Sequence, residues 1–197
     1  MNTPVTLSSA RIRLRPWRAA DREPFAALNA DPRVMEFFPA SLSRAESDAM
    51  ADGIERHFAE HGFGLWAVEV PGIASFIGFA GLSVKRFAAP FTPCVEVGWR
   101  LAIAHWGHGY ATEAATLACD HGFGPLALPE IVSYTTSANH RSRAVMERLG
   151  MVSDPAEDFD HPALPGNHPQ RRHVLYRLDR KSWLNKSWLN KSWLNTR

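Results

Sequence analysis

The stretch EVGWRLAIAHWGHGYATEAATLACDHG, residues 96–122, decides how this chain is read. Val95, Val97, Trp99 and Leu101 alternate with Glu96, Gly98 and Arg100, the period of two that marks a strand with unlike faces. Trp106-Gly107-His108-Gly109-Tyr110-Ala111 follows as a tight loop. Ala111, Ala114, Ala115 and Ala118 then recur at i, i+3, i+4 and i+7, one face of a helix, and Gly122 with Pro125 stops it. Lacking a Cβ, Gly107 and Gly109 can take backbone angles closed to other residues and let an anion approach the main chain. The first N–H groups of a helix have no partner inside it, and its dipole is positive there. Strand, glycine loop and helix start together make a pyrophosphate cradle. A plain tight turn would use the same two glycines.

No P-loop lysine is present, and Thr112 stands where GxGxxG requires a third glycine. The loop instead resembles the acyl-CoA-binding Q/R-x-x-G-x-G/A loop of the GNAT N-acetyltransferases, with Gly109 and Ala111 in the fixed places and Trp106 where Gln or Arg is usual. GWRL…HWGHGYATEA is similar to the branch holding the ribosomal-protein alanine and serine N-terminal acetyltransferases. The resemblance spans roughly residues 10–178 and implies a mixed α/β fold whose fourth and fifth strands splay apart around the pantetheine arm of acetyl-CoA. It implies cofactor contacts from Val97, Trp99 and Leu101, from Trp106, Gly107, His108, Gly109, Tyr110 and Ala111, and from Asn139 and Ser142.

Asn139-His140-Arg141-Ser142 opens a helix after a strand, and Asn is by itself a good N-cap. NxxS…MERLGM also resembles the second cofactor motif of the family, in which the Asn touches the pantetheine arm. Many relatives carry a Tyr seven residues after that Asn to protonate the departing thiolate. Here the position is Met146, which leaves Ser142 or a water as donor.

Acetylating an amine requires a neutral nitrogen, and a carboxylate or His in reach can remove its proton. Glu96 is the first candidate base, on the strand face opposite Val95, Val97 and Trp99. The competing reading makes it a structural partner of Arg100, which shares its face. Main-chain N–H groups of the same strand would stabilise the oxyanion of the transition state. Asp160 and His161, in the stretch Glu157-Asp158-Phe159-Asp160-His161, are candidates for binding or deprotonating the acceptor, and a solvated acidic loop is the plainer alternative. The segment 33–44, with Phe37 and Phe38, could wall the acceptor pocket. The acidic stretch tilts the expected acceptor toward a cationic amine, small molecule or peptide.

Other classes are set aside on composition. A chain of 197 residues, 45% hydrophobic and 21% charged, reads as one globular domain. A net charge of +2 with no basic run argues against nucleic-acid binding, and no apolar run approaches a membrane span. Cys94 and Cys119 have no metal or redox spacing, and the N-terminus carries no signal-peptide pattern, so a cytoplasmic protein with free thiols is expected. His57 and His61 lie at i, i+4 without the HExxH order, so no metal is expected. A homodimer is a common default for such a chain.

The remaining pattern predicts strands at 11–15, 65–70, 76–84, 130–136 and 173–178. Helices are predicted at 21–29, at 43–60 behind a Ser43/Glu46 capping box, and at 139–149. Residues 151–172 read as irregular. The domain is expected to end near residue 180. Beyond it, Lys181-Ser182-Trp183-Leu184-Asn185 repeats three times at a period that builds no continuous face on helix or strand, so the tail is expected to be loosely packed or disordered. The reading is an acetyl-CoA-dependent N-acetyltransferase working by direct transfer; the alternative is a CoA-binding module without transfer.

Overall fold

The structure, a computed structural model, describes residues 5–185. The strands are β1 (Leu7–Ser8), β2 (Arg13–Arg15), β3 (Leu65–Val70), β4 (Ala74–Lys85), β5 (Cys94–Leu101), β6 (Glu130–Thr136), β7 (Val152–Ser153), β8 (Phe159–Asp160) and β9 (Arg172–Asp179). The helices are α1 (Arg22–Ala30), α2 (Arg44–His61), α3 (Tyr110–Phe123) and α4 (His140–Leu149). One sheet runs in the order β1-β2-β3-β4-β5-β6-β9-β7, with β8 paired to β9.

Every pairing is antiparallel except that of β5 with β6, which α3 joins as a crossover. The β4–β5 ladder is long, from Gly78↔Leu101 to Lys85↔Cys94. The β5–β6 ladder holds a single pair, Glu96↔Val132. Past it the two strands part, while β6 stays paired on its other edge with β9 along Glu130↔Asp179 to Thr136↔His173. That parting is the feature on which the site is built.

The core forms where the predicted apolar faces meet. Leu14, Phe25, Trp66, Val68, Leu82, Val97, Ala118 and Phe123 are all 0% exposed. The small side chains of α3 let it lie close across β4 and β5, which fixes its N-terminus beside the end of β5. Helix α2 starts as its sequence indicates. Ser43 Oγ accepts from the Glu46 N–H, Glu46 Oε2 accepts from the Ser43 N–H at 2.8 Å, and Gly62 closes the other end at φ 75°.

Near the first strand, Arg15 is buried with two carboxylates. Its Nη1 and Nη2 both lie 2.7 Å from Asp21, and its Nε lies 2.7 Å from Glu69. A guanidinium is tolerated at 2% exposure because its donors are met in fork geometry.

Two sequence expectations are corrected. Residues 151–172 are not wholly irregular: β7 and β8 add short rungs to β9. The tail does not begin as a loose extension either. Residues 180–185 turn helical, and Trp183 of the first repeat is 6% exposed, with its indole N–H donating to Asp120 Oδ1 at 2.9 Å and its ring 5.9 Å from that of Phe123. Asp179 caps that turn by accepting from the Ser182 N–H and hydroxyl. The expectation for the second and third repeats concerns residues 186–195, outside the described range.

Candidate active site

A cavity of about 1430 Å³ opens where β5 and β6 part. That exceeds the range of about 300–1,000 Å³ usual for one small ligand, which suits a long ligand and a second molecule together. Its lining runs from the loop 106–111 at one end, past Gly98 and Glu96, to His161 and Tyr134 at the other.

The glycine loop has the shape its residues foretell. Gly107 and Gly109 sit at φ 77° and φ 80°, in the left-handed region, and Gly109 is the N-cap of α3. No side chain caps this helix, so its first N–H groups are turned toward the cavity without a capping acceptor. Two arginines flank the loop. Arg11 donates to the His108 carbonyl at 3.0 Å, pairs with Glu113 and lies 5.3 Å from the Tyr110 ring centre. Arg141 stacks 4.7 Å above the Trp106 ring and pairs with Glu36. The Trp106 indole N–H is spent on the Leu101 carbonyl at 2.7 Å, so positive charge at this corner comes from Arg141 and the helix start. These residues fit a diphosphate.

Beyond the Glu96↔Val132 pair, β5 has no neighbour on its β6 side. Along an antiparallel ladder alternate residues aim N–H and C=O away from the paired strand, so part of the main chain at 97–101 faces the gap. Trp99 and Leu101 line the cavity; the Val97 side chain does not and is fully buried, leaving only its main chain for any contact. Asn139 caps α4, accepting from the Ser142 N–H at 3.2 Å and donating to Thr135 Oγ1 at 2.9 Å. Asn139 and Ser142 both line the cavity. Met146 is 1% exposed and carries no proton.

Glu96 faces the cavity, and its partner is Lys85, whose Nζ stands 3.1 Å from the carboxylate. The expected pairing with Arg100 is absent because same-face residues four apart on a strand lie about 13 Å apart, whereas Lys85 is a diagonal neighbour on β4. Burial pushes the Glu96 carboxyl above the usual carboxylate range, while Lys85 and a hydrogen bond from Tyr134 hold it down. A base shifted in that direction moves toward neutral pH, where proton transfer is best matched. Burial in turn raises the Tyr134 hydroxyl, which stays protonated and donating.

The acidic stretch is spent elsewhere. Asp160 pairs with Arg171 at 3.2 Å and Arg172 at 3.5 Å and does not line the cavity; Glu157 holds Arg177 at 2.8 Å. His161, just past the end of β8, alone of that pair lines the cavity, 4.9 Å from Phe87 and 5.2 Å from His173 between ring centres. Burial and His173 lower its pKa, which keeps it neutral. Phe38 also lines the cavity, in the segment joining α1 and α2. Gln170 and Arg141 fasten that segment at Glu36.

Sequence reading missed Lys85, Tyr134, Arg11 and Arg141, and saw Arg100 only as a partner for Glu96. Their places depend on register between strands, which one chain's spacing does not display. His57 proves structural: its Nε2 accepts from the Val84 N–H and its Nδ1 donates to the Phe63 carbonyl. Among the described residues no cluster of three metal-ligating side chains occurs, and no helix is long and apolar enough to cross a membrane.

Residues 11–152 match the family model described as an acetyltransferase (GNAT) domain. FsC-acetyl coenzyme A-N(2)-transacetylase of Aspergillus fumigatus is 30% identical, the match covering 91% of this chain and 78% of that protein. An acetyltransferase structure from Agrobacterium tumefaciens superposes with a TM-score of 0.72 at 29% identity, over 90% of this chain and 96% of that one. RimJ of Mycobacterium smegmatis, solved in complex with CoA-disulfide, shares the fold at a TM-score of 0.71 and 20% identity, over 90% and 88% of the two chains. The parted strands, the glycine loop at a helix start and these matches agree: the chain belongs to the GNAT acetyltransferase family.

Proposed function

We propose that this protein transfers the acetyl group of acetyl-CoA to a primary amine, by direct attack with both substrates bound. The observation that carries this reading is the gap between β5 and β6, which joins the glycine loop at one end to Glu96 at the other through one cavity. In this assignment the N–H groups of residues 107–111, with Arg11 and Arg141, hold the diphosphate of CoA. Asn139 and the main chain of β5 border the pantetheine arm. The thioester supplies an acyl carbon whose thiolate departs readily.

The chain's own contribution is positional and protolytic. Glu96, kept basic by burial, takes the proton from the acceptor nitrogen directly or through one water. Main-chain N–H groups of 97–101 that face the gap bond the oxyanion as it develops. Ser142 at the start of α4, or solvent, returns a proton to the thiolate. Neither cysteine suits an acetyl-enzyme route: Cys119 is fully buried, and burial raises the Cys94 thiol to about 11.

The test is free thiol release from acetyl-CoA across a library of amines, run beside a titration of CoA binding. Thiol release that depends on an amine supports the reading. CoA binding with no release for any amine would instead favour a binding module without transfer, the reading that Met146 in place of a proton donor permits.

A further inference from the structure

Three cavity-lining residues of β5 share one face of the strand: Glu96, Gly98 and Arg100. Glu96 and Arg100 stand at the two ends of this row, their Cα atoms about 13 Å apart on an extended strand. Gly98 between them is not among the glycines with positive φ. Its missing side chain leaves a hollow: a Cβ there would meet only the Glu96 carboxyl, at 4.0 Å.

Arg100 is 8% exposed and makes no ion pair among the described residues. Its Nη1 donates to Asn29 Oδ1 at 2.5 Å, and Asn29 is fixed in turn by Ser47 Oγ at 2.9 Å. Its guanidinium carbon lies 4.0 Å from the Phe38 ring centre and 5.4 Å from that of Phe79. Among the described residues its Nε, itself closed off from solvent, has no hydrogen-bond partner. The contrast with Arg15, also buried yet held by Asp21 and Glu69, is direct. A buried guanidinium with unmet donors is costly unless something completes it. Burial draws its pKa down only to about 10, so it stays charged at neutral pH. The nearest carboxylate on the same face, Glu96, is engaged by Lys85.

We propose that Arg100 receives a carboxylate of the acceptor, so that the amine presented to Glu96 belongs to an amino acid rather than to a polyamine. This rests on the acetyltransferase reading of the same site. With Nη1 anchored by Asn29 and the guanidinium set against Phe38 and Phe79, the remaining terminal nitrogen, Nη2, is the donor left to meet a carboxylate oxygen. At this point of the cavity a single guanidinium beside Phe38 and Phe79 suits a single negative charge. The acidic stretch at 157–160, which would have drawn a cationic acceptor, has Glu157 and Asp160 paired with arginines, and neither lines the cavity.

The experiment compares L-α-amino acids and linear ω-amino acids, each beside its own carboxamide, by thiol release. For the best acceptor the acid is expected to exceed its amide about 100-fold in kcat/KM, near 2.8 kcal/mol by the relation of 1.4 kcal/mol per factor of ten. Arg100→Met, which keeps bulk and removes charge, is expected to bring that ratio close to one. Equal turnover of acids and amides by the native protein, or an undiminished preference in Arg100→Met, overturns the inference. If Arg100→Met does not fold, the native comparison decides alone. If no amine is acetylated, the transferase reading fails by itself, and a melting series on the CoA-loaded protein takes over. Acids that raise the melting temperature where amides do not uphold Arg100 as a carboxylate site; no difference sinks it.

Discussion

Lys85 and Glu96 meet diagonally across the β4–β5 ladder, Nζ to carboxylate at 3.1 Å, their direct partners in register being Cys94 and Ser83 respectively. The pair sits at the last rung before β5 and β6 part. It sets the protonation of the proposed base. Burial raises the Glu96 carboxyl, and the Lys85 cation opposes that rise. Transfer needs ionised Glu96, so kcat/KM falls as pH drops through its pKa. Lys85→Met removes the opposing charge and is expected to move this acid limb to higher pH. Tyr134→Phe removes a donor to the carboxylate and should move it the same way. A pH profile of kcat/KM for the three proteins checks this; unmoved limbs would detach Glu96 from the rate.

Glu96→Gln keeps the shape and removes the base. Transfer at neutral pH is expected to slow about 10²- to 10⁴-fold, with CoA affinity retained, because the proposed diphosphate cradle lies at the other end of the cavity. Steady-state rates beside a CoA titration measure both. Equal rates would rule out Glu96 as the base.

Gly109 holds φ 80° at the head of α3, and a Cβ there would come 3.4 Å from Arg11. Gly109→Val imposes a left-handed cost of about 1–2 kcal/mol on the cradle itself. CoA binding is expected to weaken about tenfold or more, read by titration against free CoA. Ser142→Ala tests the other end of the reaction. Because a CoA thiolate leaves readily, less than a tenfold loss of kcat is expected if solvent can replace the hydroxyl, and a larger loss marks Ser142 as the proton donor.

Much of this was legible in the chain. The alternation at 95–101 and the glycines at 107 and 109 announce strand, loop and helix, because backbone geometry at those places depends on local residue type. The family resemblance supplied the parting of β5 and β6, which no local pattern contains. What stayed hidden is pairwise and non-local. Lys85 reaches Glu96 through ladder register, Arg141 covers Trp106 from another helix, and Asp160 leaves the site because β8 pairs with β9. The tail misled for a related reason. A repeat without a continuous face can still place one Trp, and Trp183 finds a site against Phe123 and Asp120.

Trp183 therefore contributes to stability. Trp183→Ala is expected to cost about 3–5 kcal/mol and to lower the melting temperature on the order of 10 °C for a chain of this size. Calorimetry would measure it. A change within experimental error would show that the first repeat does not belong to the domain.

Asp21 is held at 2.7 Å by both terminal nitrogens of Arg15 at 2–3% side-chain exposure. Asp21→Ala leaves a buried cation with one carboxylate fewer and is expected to cost about 3–5 kcal/mol in denaturant unfolding, with CoA affinity of the folded fraction unchanged. Loss of CoA affinity with full stability would contradict the placement of this pair outside the site.

The most direct measurement is a crystal structure with CoA bound. The diphosphate is expected on the main-chain N–H groups of residues 107–111, flanked by Arg11 and Arg141, with the pantetheine arm between β5 and β6 and the sulfur pointing toward the Glu96 end of the gap. CoA seated anywhere else, or the gap bridged by side chains with the ligand excluded, would contradict both the site and the chemistry assigned to it.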